Sequence, residues 1–220
     1  VKDAGTKREI VVVGFGAEAV TAYVGETAET VVQKEQLGTG HAVLQAESLL
    51  QGEKGILLVT CGDTPLVRTE TFRALLDCHK KTQASATVLT ACMPDPAGYG
   101  RGIRSADGKG SKIVEQKDGT SQELAVNEVN AGIYCFELPE LWELLHRIGN
   151  NNAQGEYYLT DIIGMLVADG KTVSAVAAED YRETLGVNSR LQLAQAEKIL
   201  RERKLEELMT EGVTVQDLSL

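Results

Sequence analysis

The sequence predicts an α/β fold, with a mainly parallel, mixed sheet and helices on both faces. Three observations point there. Short apolar runs alternate with helix-like patterns from Ile10 to Ala91, and the connections between them are short. One run, Ile56–Val59, is apolar at every position, as a strand covered on both faces must be. Such alternation is the signature of βαβ units.

The elements follow in order. Ile10–Val13 reads as a strand, Ala17–Tyr23 as a helix, Thr30–Gln33 as a strand and Gly40–Leu50 as a helix. Ile56–Val59 is the next strand, Thr69–Thr82 a helix and Ala86–Ala91 a strand. From Asp95 to Glu128, Gly, Asp, Lys and Ser are interspersed with short strand candidates such as Lys112–Gln116, which predicts a β-rich excursion over the sheet. Ala131–Phe136 returns to a strand and Leu138–Arg147 to a helix. Tyr158–Gly170 is helical, Val173–Ala177 a strand, and Arg190–Met209 a long helix.

Composition narrows the partners. A chain of 220 residues can bury an ample core, and 43% hydrophobic with 25% charged residues is ordinary for a globular protein. The formal net charge of −10 argues against a broad basic face for nucleic acid, yet a small phosphate site needs only a few local donors. Cys61, Cys78, Cys92 and Cys135 form no C-x-x-C pair, so free thiols are expected rather than zinc or a disulfide framework. No apolar stretch approaches the roughly 20 residues that span a bilayer. Val1–Ile10 lacks the features of a signal peptide, so a cytoplasmic location and no membrane partner are expected. The chain has no initiating methionine and reaches a strand almost at once, the pattern expected of a fragment or processed product.

Several stretches can carry chemistry. Gln33 to Ala42 leaves a strand and opens a helix, and Gly38 and Gly40 flanking Thr39 let backbone N–H groups approach a planar or anionic ligand. A capped turn with Thr39 as N-cap explains the same residues, and His41 suits a packed or hydrogen-bonding role better than catalysis. Thr60-Cys61-Gly62-Asp63-Thr64-Pro65 ends the apolar strand in a carboxylate, at the strand end where open α/β sheets bind ligands. Asp63 there is a hard oxygen donor suited to Mg²⁺; the competing reading is an Asx-turn or helix cap. Gly98-Tyr99-Gly100-Arg101 and Glu115 offer a backbone amide and a carboxylate for hydroxyl groups, although Glu115 and Lys117 also suit a solvated strand edge. Asn130 is either a turn former or a ligand-reading amide, and Asn188 precedes the last helix, where it could be a mere N-cap.

Taken in order, these stretches resemble the uridylyltransferase domain of the bacterial N-acetylglucosamine-1-phosphate uridylyltransferase family. The resemblance rests on Gln36–Ala42, Gly62–Leu66, Gly98–Arg101, Asn152–Asp161 and Gly186–Leu193 and runs through almost the whole chain. It implies a Rossmann-like, GT-A-like nucleotidyltransferase fold with the excursion on the sugar side. It also implies uridylyl transfer from UTP to N-acetylglucosamine 1-phosphate for cell-wall precursor synthesis. Gln33, Gly38 and Thr39 are then expected to read uracil, with Cys61 and Gly62 beside the substrate. Asp63 and Asn188 are expected to hold Mg²⁺, and Gly100, Glu115 and Asn130 to bind the sugar. Asn152–Asp161 is expected to be structural, with Tyr158 a weaker sugar-side candidate.

Three departures bear on activity. The family's L-x-x-G-x-G-T-R-M loop and following lysine, which grip the phosphates, have no match in these residues. The catalytic Arg and Lys are therefore expected in a missing N-terminal segment, and this chain alone is expected to be nearly inactive. Gly102 stands where an aliphatic residue is usual and is expected to loosen its strand. The hexapeptide-repeat domain that builds the family's trimer is also expected to be missing, leaving a piece that can be monomeric. The expected division is residues 1–188 as the truncated catalytic domain and 189–220 as a helix and start of a linker. The rival readings are another sugar-1-phosphate nucleotidyltransferase and a non-catalytic sugar-nucleotide-binding module.

Overall fold

The structure, a computed structural model, describes residues 1–104 and 110–217. Part of the predicted excursion (105–109) and the last three residues of the predicted linker lie outside the described residues. Strand β1 (Ile10–Val13), helix α1 (Ala17–Val24) and strand β2 (Glu29–Val32) form a βαβ unit whose two strands pair in parallel. After α2 (Thr39–Leu44) and α3 (Glu47–Leu50) come β3 (Gly55–Val59), α4 (Thr69–Thr82) and β4 (Ala86–Cys92). The excursion supplies β5 (Arg101–Arg104), β6 (Gly110–Val114) and the short α5 (Ser121–Leu124). Then follow β7 (Glu128–Leu138), α6 (Glu140–Leu145), α7 (Asp161–Ala168), β8 (Val173–Ala177) and α8 (Arg190–Thr210).

Strands β3 to β8 make a six-stranded mixed sheet. Strands β3, β4 and β5 each run antiparallel to β7, and β8 runs parallel to β4. One strand direction therefore prevails, as the βαβ alternation predicts, but most neighbours are antiparallel. The reason is β7: it returns from the excursion and lies against β4 on one side and against β3 and β5 on the other. Its eleven residues replace the six expected, so Asn130 sits inside a strand rather than before one.

Both faces are covered because alternate side chains of β4 and β7 point to opposite sides. Val88, Tyr134 and Phe136 meet Leu141, Leu145, Ile162 and Leu166 of α6 and α7. On the other side Leu89, Ile133 and Cys135 meet Phe72 and Leu75 of α4. Helix α4 places those two residues three apart, on one face, and carries Glu70 in its first turn and Lys80 and Lys81 in its last, matching the helix dipole. The predicted helices at 40–50, 138–147 and 158–170 are shorter or broken in the structure, and Tyr158 precedes its helix. The strand through Gly102 does form, with Gly102 paired to Ile113.

Helix α8 has one buried residue, Ala196, and is tied to the sheet domain by Arg203, whose Nη1 donates to the Leu66 carbonyl at 2.7 Å. Among the described residues no helix is long and apolar enough to cross a membrane.

Candidate active site

At the carboxyl end of β2, the Gln33 N–H donates to the Val13 carbonyl (2.8 Å), which continues the β1–β2 ladder and sets Gln33 beneath the following turn. Gly38 has φ +114°, and a Cβ there would lie 2.6 Å from the Tyr157 oxygen, so glycine is dictated twice over. The turn is fastened by the Tyr157 N–H to the Leu37 carbonyl, the Gly40 N–H to the Tyr157 carbonyl (both 2.8 Å) and the Leu159 N–H to Thr39 Oγ1 (3.0 Å). Thr39 is therefore not an N-cap: Gly38 occupies that position, and the threonine hydroxyl is spent on another segment. The Gly38 and Thr39 N–H groups make no hydrogen bond among the described residues and remain available to a ligand.

The run Asn152–Asp161 is what holds this turn. Asn152 Oδ1 accepts from the Gln154 and Glu156 N–H groups at 3.2 and 3.1 Å, which shapes a compact loop whose far end lies against Leu37–Gly40. Tyr158 is buried, its hydroxyl accepting from Gln154 Nε2 at 2.9 Å. The sequence marks the run as structural; what it serves is visible only in three dimensions.

A second group gathers beyond β3. A Cβ placed on Gly186 would stand 3.5 Å from Asn188 Nδ2 and 3.6 Å from Asp63 Oδ2, so the two side chains flank one glycine. The Val187 N–H bonds to the Asp63 carbonyl at 2.8 Å and keeps them there. Neither side chain has a hydrogen-bond or ion-pair partner among the described residues, and both are exposed. Asp63 makes no Asx-turn, and Ser189 rather than Asn188 caps α8, its Oγ accepting from the Gln192 N–H. The Asp63 carboxylate and the Asn188 amide, which offers an oxygen once its group turns over, suit Mg²⁺, which takes one or two protein oxygens and completes its shell with water and phosphate. Gly62 beside them has open space around its Cα. The Cys61 sulfur leans on the Gly132 carbonyl at 3.7 Å, and burial of the thiol, aided by Asp63, pushes its pKa up.

The third group is the sugar-side candidate set. A Cβ on Gly100 would lie 3.3 Å from Glu115 Oε2, and the Asn130 N–H donates to the Gly100 carbonyl at 2.9 Å, so all three residues meet. Burial raises the Glu115 pKa, a hydrogen bond from Thr160 Oγ1 (3.1 Å) opposes the rise, and Asp118 and Asp161 add to it. Asn130 has much of its amide engaged: Oδ1 accepts from the Gly132 N–H at 3.1 Å and Nδ2 donates to Tyr134 Oη at 2.6 Å. That bracing supports the irregularity in β7, where the register shifts opposite Val88 and Thr90. Buried Arg101 braces the same flank through the carbonyls of Tyr99 and Leu124 and through Gln116 Oε1. Sequence alone assigns no individual role to Thr160, Tyr134 or Arg101, although Thr160 and Arg101 lie in stretches that carry the family resemblance.

The first group follows the carboxyl end of β2 in the two-stranded unit, and the second follows the carboxyl end of β3 in the six-stranded sheet; the carboxyl ends of strands are where α/β folds bind nucleotides and related ligands. Residues 6–197 match the nucleotidyl transferase family, and the chain belongs to it. It is 54% identical over 213 residues to the bifunctional protein GlmU of Geobacillus sp. (strain WCH70), covering 97% of this chain and 46% of that one. Against the bifunctional protein GlmU of Exiguobacterium sp. (strain ATCC BAA-1283 / AT1b) the identity is 53%, covering 97% and 47%. The chain spans about half the length of the curated relatives it matches. A crystal structure of UDP-glucose pyrophosphorylase complexed with UDP-glucose shares the fold, with TM-score 0.68 over 92% of this chain and 83% of that one, at 17% identity.

Proposed function

We propose that this chain is the uridylyl-transferring part of an enzyme that joins UTP and N-acetylglucosamine 1-phosphate into UDP-N-acetylglucosamine and pyrophosphate, for cell-wall precursors. The observation that carries the reading is that Asp63 and Asn188, without partners among the described residues, flank Gly186 beyond the carboxyl end of β3. The sugar phosphate's own oxygen attacks the α-phosphorus in line, so no protein nucleophile is required. Asp63 and Asn188 would hold Mg²⁺, which would supply charge neutralisation on the phosphates.

The protein's own part is alignment. Gln33, Gly38 and Thr39 hold the base, while Cys61 and Gly62 form the floor beside the phosphates. Gly100 N–H, Glu115 and the remaining Asn130 amide hydrogen orient the sugar and its N-acetyl group. The resemblance to GlmU supports these assignments. Residues 1–188 form the catalytic part, with 189–220 a helix and linker. The setting is the cytoplasm, and the whole enzyme is a homotrimer. Turnover by the chain alone is slow, because no phosphate-gripping Arg and Lys loop of the family's type is found in its sequence.

Isothermal titration of UDP-N-acetylglucosamine with Mg²⁺ tests the reading, with UDP-glucose and Asp63→Ala as controls. Selective binding that Asp63→Ala weakens only when Mg²⁺ is present supports it. Equal binding of the two sugars favours another sugar nucleotidyltransferase, and metal-independent binding removes the role given to Asp63.

A further inference from the structure

Gln33 is 8% exposed, and its side-chain nitrogen is doubly engaged. Nε2 donates to the Gly38 carbonyl at 3.2 Å and lies 3.0 Å from His41 Nδ1. An amide nitrogen has two hydrogens, so both are taken by these neighbours. Gly38 O can only accept, and it forbids the flipped amide, which would set oxygen against oxygen. His41 closes the second hydrogen in the same sense, provided Nδ1 is bare and the ring proton sits on Nε2. Gln45 competes for the ring: its Nε2 donates to the His41 carbonyl at 3.0 Å and stands 3.2 Å from His41 Nε2. Gln45 is a half-buried side chain one turn along the same helix, free to rotate toward solvent, whereas Gln33 is enclosed. The bare nitrogen therefore belongs to Gln33.

What remains of Gln33 is Oε1, which has no hydrogen-bond partner among the described residues and is not sealed from solvent. The N–H groups of Gly38, whose carbonyl holds the Gln33 amide, and of Thr39 next to it are also without partners among the described residues. An acceptor next to donors matches a pyrimidine ring N–H flanked by a carbonyl, as in uracil. It mismatches cytosine, whose ring nitrogen accepts and whose exocyclic nitrogen donates. We propose that His41 is a positioning residue for nucleotide selection: by accepting from Gln33 Nε2 it fixes the amide so that its oxygen faces the base, which favours uracil over cytosine. The proposal rests on the nucleotide site described above and deepens it.

Titration of UDP and CDP, each with Mg²⁺, into the wild-type chain and its His41→Ala and His41→Asn variants decides the matter, with thermal melts confirming that each is folded. A misplaced polar partner in a site built for hydrogen bonding costs orders of magnitude, so the wild type should prefer UDP by about 100-fold or more. In His41→Ala the preference should fall about tenfold as the amide gains freedom. His41→Asn should recover most of it, because the asparagine oxygen can stand where Nδ1 stood. Nitrogen NMR of the free chain should show His41 Nδ1 unprotonated. Equal weakening of UDP and CDP in His41→Ala, or a protonated Nδ1 facing Gln33, overturns the positioning role while leaving the nucleotide site intact. Failure of the folded wild type to bind either nucleotide overturns the site itself and this inference with it.

Discussion

The turn proposed to hold the base and the strand end proposed to hold the metal are built in opposite ways. Around Gly38 the backbone is fastened on both sides, with Tyr157 and Leu159 bonded into it and no room for a methyl group. Around Gly62 there is open space, and the Asp63 and Asn188 side chains touch no partner among the described residues. The first region is closed by protein contacts; the second leaves its side chains open. A neutral, planar base is recognised by preset donors and acceptors. A polyphosphate–metal complex brings its own charge and coordination shell, and the protein needs only to leave oxygens exposed for it.

Substitutions can break that contrast. Gly38→Ala should have the largest effect: a positive φ and a backbone clash together should cost about 3 kcal/mol or more of unfolding free energy, read from denaturant melts. Asp63→Ala should leave stability within about 0.5 kcal/mol. It should nonetheless weaken Mg²⁺-dependent binding of UDP-N-acetylglucosamine about tenfold, near 1.4 kcal/mol by calorimetry. Equal stability losses in the two variants would erase the distinction between the regions.

The sugar-side flank lies between these extremes and sharpens the comparison. Gly102 faces a small apolar hollow lined by Val88, Thr90, Ile113 and Ile163, and a Cβ there would sit 3.6 Å from Thr90 Cγ2, an ordinary contact. Gly102→Val should therefore stabilise by about 0.5–1 kcal/mol, seen as a higher melting temperature with substrate binding retained.

Glu115→Gln should give a small gain in stability that depends on pH. The Glu115 pKa is raised in the folded protein, chiefly by burial, so the ionised form disfavours folding. That group costs nothing while protonated, below about pH 4, and its cost grows as pH rises through the folded pKa. The variant should thus melt higher by under about 3 °C near neutrality and match the parent in acid, while sugar affinity falls. A gain that persists in acid would show that charge is not its source.

Much of this molecule was legible in its sequence, because much of it is local. Apolar runs and helical periodicity located β1, α1, β3, α4 and β8 to within a residue or so, since burial on both faces or one face imposes its period on any chain. Asp63 could be placed at a strand end because Pro65 and the apolar run bracket it. The excursion was seen as β-rich, but not that β7 would run eleven residues through the centre of the sheet and reverse most neighbour pairings. Strand partners are chosen by tertiary packing, and nothing in 128–138 announces which edges it will meet. Thr39 illustrates the same limit at one residue: its sequence context suits an N-cap, and a backbone N–H 120 residues away claims the hydroxyl instead.

The sequence by itself determined which segments form strands and helices, the family to which they belong, and where a carboxylate could face a ligand. Those follow from side-chain period, turn chemistry and motif order, all of which act over a few residues. The tertiary structure alone decided which groups are left without partners among the described residues. Gln33 Oε1, Asp63 and Asn188 are available for chemistry because residues far along the chain satisfied their neighbours and not them. Availability is set by the whole hydrogen-bond network of the fold, and no local stretch of sequence contains it.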